Sequence, residues 1–510
     1  VFLEADVGGS MQLERIIRAS LIAIVCGVMG GAQADELFPY RMPWDDASVN
    51  LTNLREWNVR PAGKAGFVRV RDGHLYAGDQ RLRLLGVNIV FGSVAPEHGV
   101  ADRLAARLAR FGVNIVRLHH MDSAPVPRGL LQKDMRTLDP AMLERFDYFV
   151  AALKREGIYS DINLHVGRKY PGFSGWGEAT PNYWKGVDNF YAPMVEMQKE
   201  YARNLLLHRN PYTGNRYVDE PAVALIEINN ENGLMREWRT GALNQMGEPY
   251  RSDLQRQWDG WLHGHYADDQ ALRRAWGVRE EAPGAEMLGS ALNVRSVEAG
   301  WSLQLVGSAA ATLTRTPDGA LDLAMSHAGA EIWHTQLHQN RLVFKADQPY
   351  TLHLRMRADA PMRVGLQAMQ AHAPWQALWA QEIQVGRDWR DYQLSFATEV
   401  SEDIARLTIG HIGRQTGHLY LQQASLRTGG LLGLLPGQSL RAGNIAMPDG
   451  SALMSLTAVG QRDWLQFLWD TETAYWQGMR DYLRQDLGAH PLIVGTQVSY
   501  SPAPIQATLD

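Results

Sequence analysis

At 510 residues the chain is longer than one hydrophobic core usually serves, and about 100–200 residues per domain implies two or three units. Hydrophobic residues make up 45% of it and charged residues 21%, which excludes the polar, charge-rich composition of a disordered chain. A net charge of −5 without a long basic run excludes the electrostatic footprint of a nucleic-acid binder, so the expected partner is neutral or small. The 16 Trp and 18 Tyr offer flat rings that either stack on sugar faces or fill a core.

The N-terminus carries the marks of an export signal. Met11 is followed by Arg15 and Arg18, an apolar run from Leu21 to Met29, and Ala32-Gln33-Ala34 before Asp35. A signal peptide over residues 11–34 is expected, with a secreted or periplasmic mature chain that is off the membrane once the signal is cut. The apolar run is shorter than the ~20 residues that span a bilayer. Residues 1–10 precede the expected start and carry no fold information. The only cysteine, Cys26, lies inside the signal behind Val25, where a lipoprotein signal requires a smaller residue. A mature chain without thiols excludes disulfides, cysteine nucleophiles and cysteine-based zinc sites.

From Gly66 onward, Phe67-Val68-Arg69-Val70, Leu75-Tyr76 and Leu82 to Val90 are separated by Asp72-Gly73 and Gly78-Asp79, which predicts short strands leading into a buried one. A helix is predicted over 100–111, where Leu104, Leu108 and Phe111 recur at helical spacing, followed by the strand Asn114-Ile115-Val116-Arg117-Leu118. The rhythm repeats with helix 140–156 and strand 159–166, then helix 192–208 and strand 222–229. Alternating strands and helices imply a parallel sheet. Each strand runs into polar residues at its C-terminal end: His119-His120, then Asn163 and His165, then Asn229 to Asn232. In a (β/α)8 barrel that end carries the active site.

A helical stretch over 252–276 continues the pattern. Between about 282 and 430 the sequence changes to short alternating strands such as Leu303-Gln304-Leu305, Tyr350 to Arg355 and Tyr392 to Phe396, the pattern of an antiparallel sandwich. After a linker from Leu431 to Gly437, helix 463–487 and strand 491–497 restore the α/β rhythm. The expected fold is therefore α/β: a (β/α)8 (TIM) barrel, incomplete at the C-terminus and interrupted by an inserted antiparallel β-sandwich. The expected divisions are a leader and signal at 1–34, the first part of the barrel at 35–282, the sandwich at 283–430, and the barrel's continuation through about its fifth strand at 431–510.

The sharpest segment is Val223 to Asn232, an apolar strand that ends abruptly in Asn229-Asn230-Glu231-Asn232. Cleaving a glycosidic bond needs a carboxylic acid to protonate the leaving oxygen, and a retaining mechanism adds a carboxylate nucleophile about 5–5.5 Å away. Glu231 fits the acid, and Asn230 fits a group that bonds the sugar 2-hydroxyl. The spacing alone equally suits a strand end whose polar residues meet water and cap the next helix.

Asn-Glu at the end of a fourth strand resembles the large retaining clan of glycoside hydrolases (clan A), nearest to cellulase-like members of family 5. Leu85-Gly86-Val87-Asn88 resembles that clan's first strand, Asn114 to Arg117 its second, Tyr159 to His165 its third, and Asn210-Pro211-Tyr212-Thr213-Gly214 the approach to its fourth. The likeness covers about 60–280 and 440–510. It implies Glu231 as acid/base, Asn230 at the 2-hydroxyl, and Arg117 and His165 in the barrel floor, with His119, His120 and Asn163 as further sugar contacts. Each of these can instead serve packing. Adjacent strand residues face opposite ways, so His119 and His120 are not expected to share an ion, and no metal or cofactor is expected. Tyr170, Trp176, Trp184 and Tyr191 follow the third strand and either line sugar subsites or pin that segment by packing.

The clan's nucleophile Glu ends a seventh strand. Here the strand at 491–497 reads as the fifth and Glu472 is the last glutamate. No nucleophile is found in the chain, and truncation before the later strands is the expected explanation. The inserted segment resembles family 4/9 carbohydrate-binding modules, through Trp301, Trp333, Tyr350 to Ala358, Trp389, Tyr392, Phe396 and Gly417 to Leu421. Trp375 and Trp379 offer a sugar-stacking platform or core. Gln422-Gln423 stand where such modules place an acidic calcium ligand.

The resemblance implies a secreted retaining β-glycosidase whose partner is a β-linked polysaccharide or oligosaccharide, with glucan, mannan and galactoside all open. The competing reading is a non-catalytic carbohydrate-binding protein, since the nucleophile is missing. A lyase or esterase is weaker, because no G-x-S-x-G elbow is present. Oligomeric state is not legible.

Overall fold

Period-two alternation decides which face of each parallel strand meets the helices. The computed structural model describes residues 43, 46, 48, 50–174, 184–288, 300–435, 437–448, 453, 456–497 and 499–510. The expected signal at 11–34, Cys26 and Trp176 lie outside the described residues. Asn50–Asp510 is one compact unit and holds every described helix and strand.

An antiparallel meander, β1 (Val68–Arg71), β2 (His74–Ala77) and β3 (Gln80–Arg81), precedes four parallel strands, β4 (Gly86–Val90), β5 (Ile115–His119), β6 (Tyr159–His165) and β7 (Val223–Asn229). Helices His98–Arg110, Pro140–Arg155 and Ala192–Leu206 connect them. A fifth strand, Leu492–Val494, pairs parallel with β7. Spatial order follows chain order without reversal, so right-handed crossovers put the helices on one face. Toward that face point Val116, Leu118, Ile162, Leu164, Ile226, Ile228 and Ile493, all in one core with Phe146, Phe149 and Leu153 of the second helix. Burial of each such side chain contributes about 1.5–3 kcal/mol. The intervening positions Arg117, Asp161 and Glu227 meet one another on the opposite face.

Side-chain caps set the starts of several helices. Asp139 caps Pro140–Arg155 by accepting from Ala141 N at 3.1 Å and Met142 N at 3.0 Å, and Pro140 sits in the first turn. The predicted helix 252–276 is two helices, Tyr250–His265 and Asp269–Ala275. The break falls where the Asp268 carboxylate accepts from Ala271 N at 2.7 Å and begins a new helix. The predicted helix 463–487 starts earlier, at Ala458 behind its Thr457 cap, runs to Asp481 and continues as a π-turn over Tyr482–Asp486.

The sandwich enters and leaves through a two-stranded neck, in which β8 (Arg279–Glu281) pairs with a strand at Gly430–Leu432. Gly430 has a φ of +131°, and a Cβ there would collide with Thr351 Oγ1. Ten antiparallel strands lie beyond the neck: β9 (Ser302–Leu305), β10 (Ala310–Arg315), β11 (Leu321–His327), β12 (Thr335–Phe344), β13 (Tyr350–Ala358), β14 (Met362–Gln370), β15 (Ala377–Val385), β16 (Arg390–Phe396), β17 (Glu402–Gly410) and β18 (Gly417–Thr428). They form two five-stranded sheets, ordered β10-β11-β18-β13-β16 and β15-β14-β17-β12-β9. The neck closes with β19 (Gly430–Leu432), and β20 (Leu492–Val494) completes the parallel sheet. The structure thus has the mixed α/β character expected, with a five-stranded parallel sheet and an antiparallel sandwich between its fourth and fifth strands.

Several tryptophans are core residues. Trp258, Trp276 and Trp464 cluster with Phe467 where helices Tyr250–His265 and Ala458–Asp481 meet. Trp379, expected as part of a sugar platform, is 1% exposed and stacks on Phe396 at 4.1 Å inside the sandwich core. That expectation is corrected, because its ring faces the opposite sheet and not solvent. Among the described residues no helix is long and apolar enough to cross a membrane.

Candidate functional site

The C-terminal edge of the parallel sheet gathers Arg117, His119, Asn163, Asn230 and Glu231 among the residues that the sequence singled out. Arg117 on β5 donates to Glu227 on β7 through Nε at 2.6 Å and Nη2 at 2.8 Å, and Nη2 also reaches Asn230 Oδ1 at 2.9 Å. Asp161 on β6 lies 4.0 Å from the same guanidinium. Burial, then the Glu227 charge, pushes the Asp161 carboxyl well above the usual carboxylate range. Burial raises the Glu227 carboxyl as well, against its bonds from Arg117, so two buried carboxyls share one guanidinium and burial disfavours charge on both.

Gln497, just past β20, holds the same Asn230 oxygen. The Gln497 Nε2 donates to Asn230 Oδ1, while its Oε1 accepts from Glu231 N at 2.8 Å. The Glu231 side chain is exposed beside this clamp. Its backbone is left-handed, with φ +49°, and so are those of His120 at +58° and Phe91 at +53°, the residues that follow β5 and β4. Such conformations cost of order 1 kcal/mol or more in non-glycine residues and collect at functional sites.

His119 pairs through Nδ1 with Asn163 Oδ1 at 2.7 Å. Burial and the Arg117 charge push the His119 imidazole down to about 4, so it is neutral at neutral pH. With Nδ1–H donating to the amide, Nε2 remains an acceptor. His120 turns aside, bonding Ser123 Oγ at 2.8 Å and stacking on Phe91 at 4.3 Å. His165 does not join this group. It is buried with Nδ1 3.6 Å from Asp122 Oδ2 and packs near Tyr201. Trp184 and Tyr191 both pack edge-on against Tyr250, at 5.2 and 5.0 Å.

Several supporting groups escaped the sequence. The segment after Trp184 straps onto the end of β7: Lys185 Nζ donates to the Asn230 carbonyl, and Gly186 N donates to Asn232 Oδ1 at 2.9 Å. Asp188 accepts from Asn229 Nδ2 at 3.1 Å and Asn232 Nδ2 at 2.8 Å. Burial pushes the Asp188 carboxyl up to about 6. Glu472 is buried on helix Ala458–Asp481 and accepts from Met235 N at 2.8 Å, Trp476 Nε1 at 3.3 Å and Ser501 Oγ. Gly233 lets the chain pass there, since a Cβ would collide with the Tyr500 carbonyl oxygen. Only Gln497, polar at the end of an apolar strand, and Glu227, inside one, carry a readable signal. Among the described residues no group of three or more His, Cys, Asp or Glu side chains is arranged to hold a metal ion.

A second site lies on the sandwich. The sheet β15-β14-β17-β12-β9 bears a cleft of about 490 Å³ lined by Trp333, Trp375, Arg406, His411 and the amides Gln304, Gln336 and Gln367. Trp333 is 47% and Trp375 51% exposed, so Trp375 presents its ring to solvent as Trp379 does not. Flat rings above fixed amides make a surface that suits sugar faces and hydroxyls.

Residues 297–411 match the carbohydrate binding domain family CBM 4/9, which supports a carbohydrate-active protein. A search of curated proteins found no match. Among solved structures, the chain is similar to the second N-terminal cellulose-binding domain of Cellulomonas fimi β-1,4-glucanase C, at 16% identity and TM-score 0.25, over 30% of this chain and 99% of that one. It is also similar to an endo-1,4-β-mannanase from Rhizomucor miehei, at 18% identity and TM-score 0.28, over 33% of this chain and 49% of that one. A family 5 mannosidase from the same organism matches at 13% identity and TM-score 0.28, over 35% of this chain and 53% of that one. The match thus spans about half the length of each Rhizomucor enzyme. At these TM-scores the functional reading rests on the family match and on the chain's own residues.

Proposed function

We propose that the chain belongs to an exported retaining β-glycosidase built on a (β/α)8 barrel, with Glu231 as acid/base and the sandwich as its glycan-binding domain. The observation that carries this reading is the clamp on Asn230 by Arg117 and Gln497, which fixes an amide beside an exposed carboxyl at the C-terminal edge of the sheet. Glu231 protonates the leaving oxygen, then takes a proton from the water that releases the sugar. The Asn230 amide bonds the 2-hydroxyl, and His119 Nε2 accepts from a second hydroxyl. Asp161 and Glu227 are committed to Arg117, and Glu472 to Met235 and Ser501. The reading therefore places the nucleophile on none of these three carboxyls.

The same commitments favour a second reading, a protein that holds glycan without cleaving it. Hydrolysis of β-glucan, β-mannan and β-galactoside panels by the full-length protein, nucleophile included, separates the two. The enzyme reading expects turnover of at least one panel, abolished in Glu231→Ala for poor leaving groups. With a dinitrophenyl β-glycoside, Glu231→Ala should retain turnover that azide accelerates, giving a β-glycosyl azide. Glycan binding without hydrolysis of any panel sinks the enzyme reading and leaves the second.

A further inference from the structure

The floor of the sandwich cleft carries a cation with no carboxylate partner among the described residues. Arg406 on β17 is 5% exposed, and its guanidinium donates from Nη1 to Gln304 Oε1 at 3.1 Å and from Nη2 to Gln336 Oε1 at 3.0 Å. Both acceptors are neutral amides, and among the described residues no carboxylate lies within 4.0 Å of it. The Trp375 ring, 5.3 Å away, supplies only a cation–π contact. Buried guanidinium groups ordinarily sit against a carboxylate, because an unpaired buried charge is expensive. Burial pulls the Arg406 guanidinium below its ordinary value. Each terminal nitrogen still has a second N–H after its bond to an amide, and the two together match the oxygens of one carboxylate.

Among the described residues, nothing else in the cleft competes for that charge. Its lining holds no Asp or Glu. Glu382, at the rim, is engaged by Arg363 at 3.1 Å and lies 3.7 Å from His411. Glu402 is tied to Gln370 and His372. The buried His338 imidazole is pushed down to about 4 by burial and by Arg406, so it adds no second charge at neutral pH. We infer that the cleft takes an acidic glycan, a chain containing hexuronate residues, whose carboxylate pairs with Arg406 while Trp333 and Trp375 stack on the flanking sugar rings.

This inference rests on reading the sandwich as a carbohydrate-binding domain, and the test separates the two. Calorimetry of the whole protein would compare oligogalacturonate, oligoglucuronate and oligomannuronate with neutral gluco-, manno- and xylo-oligosaccharides, and oligogalacturonate with its methyl ester. At least one uronate should bind at least about tenfold more tightly than every neutral sugar and weaken as salt rises. Where oligogalacturonate is the ligand, its ester should lose that advantage. Arg406→Gln should bring the uronate down to the neutral level. Arg406→Lys, which keeps the charge without the fork and guards against a folding defect, should retain part of the preference. Neutral glycans binding as tightly as every uronate, with loss in Trp375→Ala, overturns the uronate assignment and leaves the domain's sugar binding intact. An unchanged preference in a folded Arg406→Gln also overturns it. No sugar bound at all overturns both.

Discussion

The guanidinium of Arg117 and the carboxylate of Glu227 meet through two hydrogen bonds, at 2.6 and 2.8 Å, beneath the Asn230 amide that the same guanidinium also holds. A strand-to-strand ion pair thus sets the position of a residue beyond the strand end. Arg117→Met would leave Glu227 and Asp161 buried without their cation, a loss of about 3–5 kcal/mol in unfolding free energy. The double variant with Glu227→Met should recover most of it. Urea unfolding at pH 7 checks this, and a loss under about 0.5 kcal/mol in the single variant contradicts it.

Asp188 ties the segment after Trp184 to the end of β7, and its titration makes that tie pH-dependent. Its carboxyl is pushed from an ordinary 3.8 up to about 6 by burial. Between those values the folded chain keeps a proton that the unfolded chain has released, so stability falls as pH rises through the window. Above pH 6 the whole penalty stands, of order 3 kcal/mol. Asp188→Asn removes the titration. The unfolding free energy of the native chain minus that of the variant should therefore fall by about that much between pH 4 and pH 7. A difference that stays flat across the window rules out the assignment.

Gln497 bridges Asn230 and Glu231 from the neighbouring strand. Gln497→Ala removes both bonds at a cost of about 1–1.5 kcal/mol each. On the proposed glycosidase this lowers kcat about tenfold or more, with little change in binding of glycan to the sandwich. Steady-state kinetics beside calorimetry read the two effects separately, and a parallel loss in both would point to misfolding instead.

The parallel strands were legible because each joins an apolar run to polar residues at one end, and β5, β6 and β7 fall within two residues of expectation. The partners of the site were not, because they meet only in space. Lys185 and Asp188 belong to a segment with no periodicity, and what makes Asp188 notable is its burial against Asn229 and Asn232. Arg406 does have a local signal. In β17 it alternates with Ala405, Leu407 and Ile409, which enter the sandwich core, so period two places it on the opposite face.

The two tryptophans near the β14–β15 turn test how far sequence spacing misleads. Trp375 and Trp379 are four residues apart, yet Trp375 precedes β15 in a left-handed turn with φ +63° while Trp379 lies inside the strand against Phe396. Trp379→Ala empties a core position and should cost about 3–5 kcal/mol. Trp375→Ala removes an exposed ring and should leave stability within about 0.5 kcal/mol. It should weaken glycan binding up to about tenfold, the value of one aromatic contact of about 0.5–1.5 kcal/mol. Thermal unfolding and glycan calorimetry on both variants give four readings. The assignment fails if Trp375→Ala is the destabilised variant, or if Trp379→Ala folds with full stability and loses only sugar.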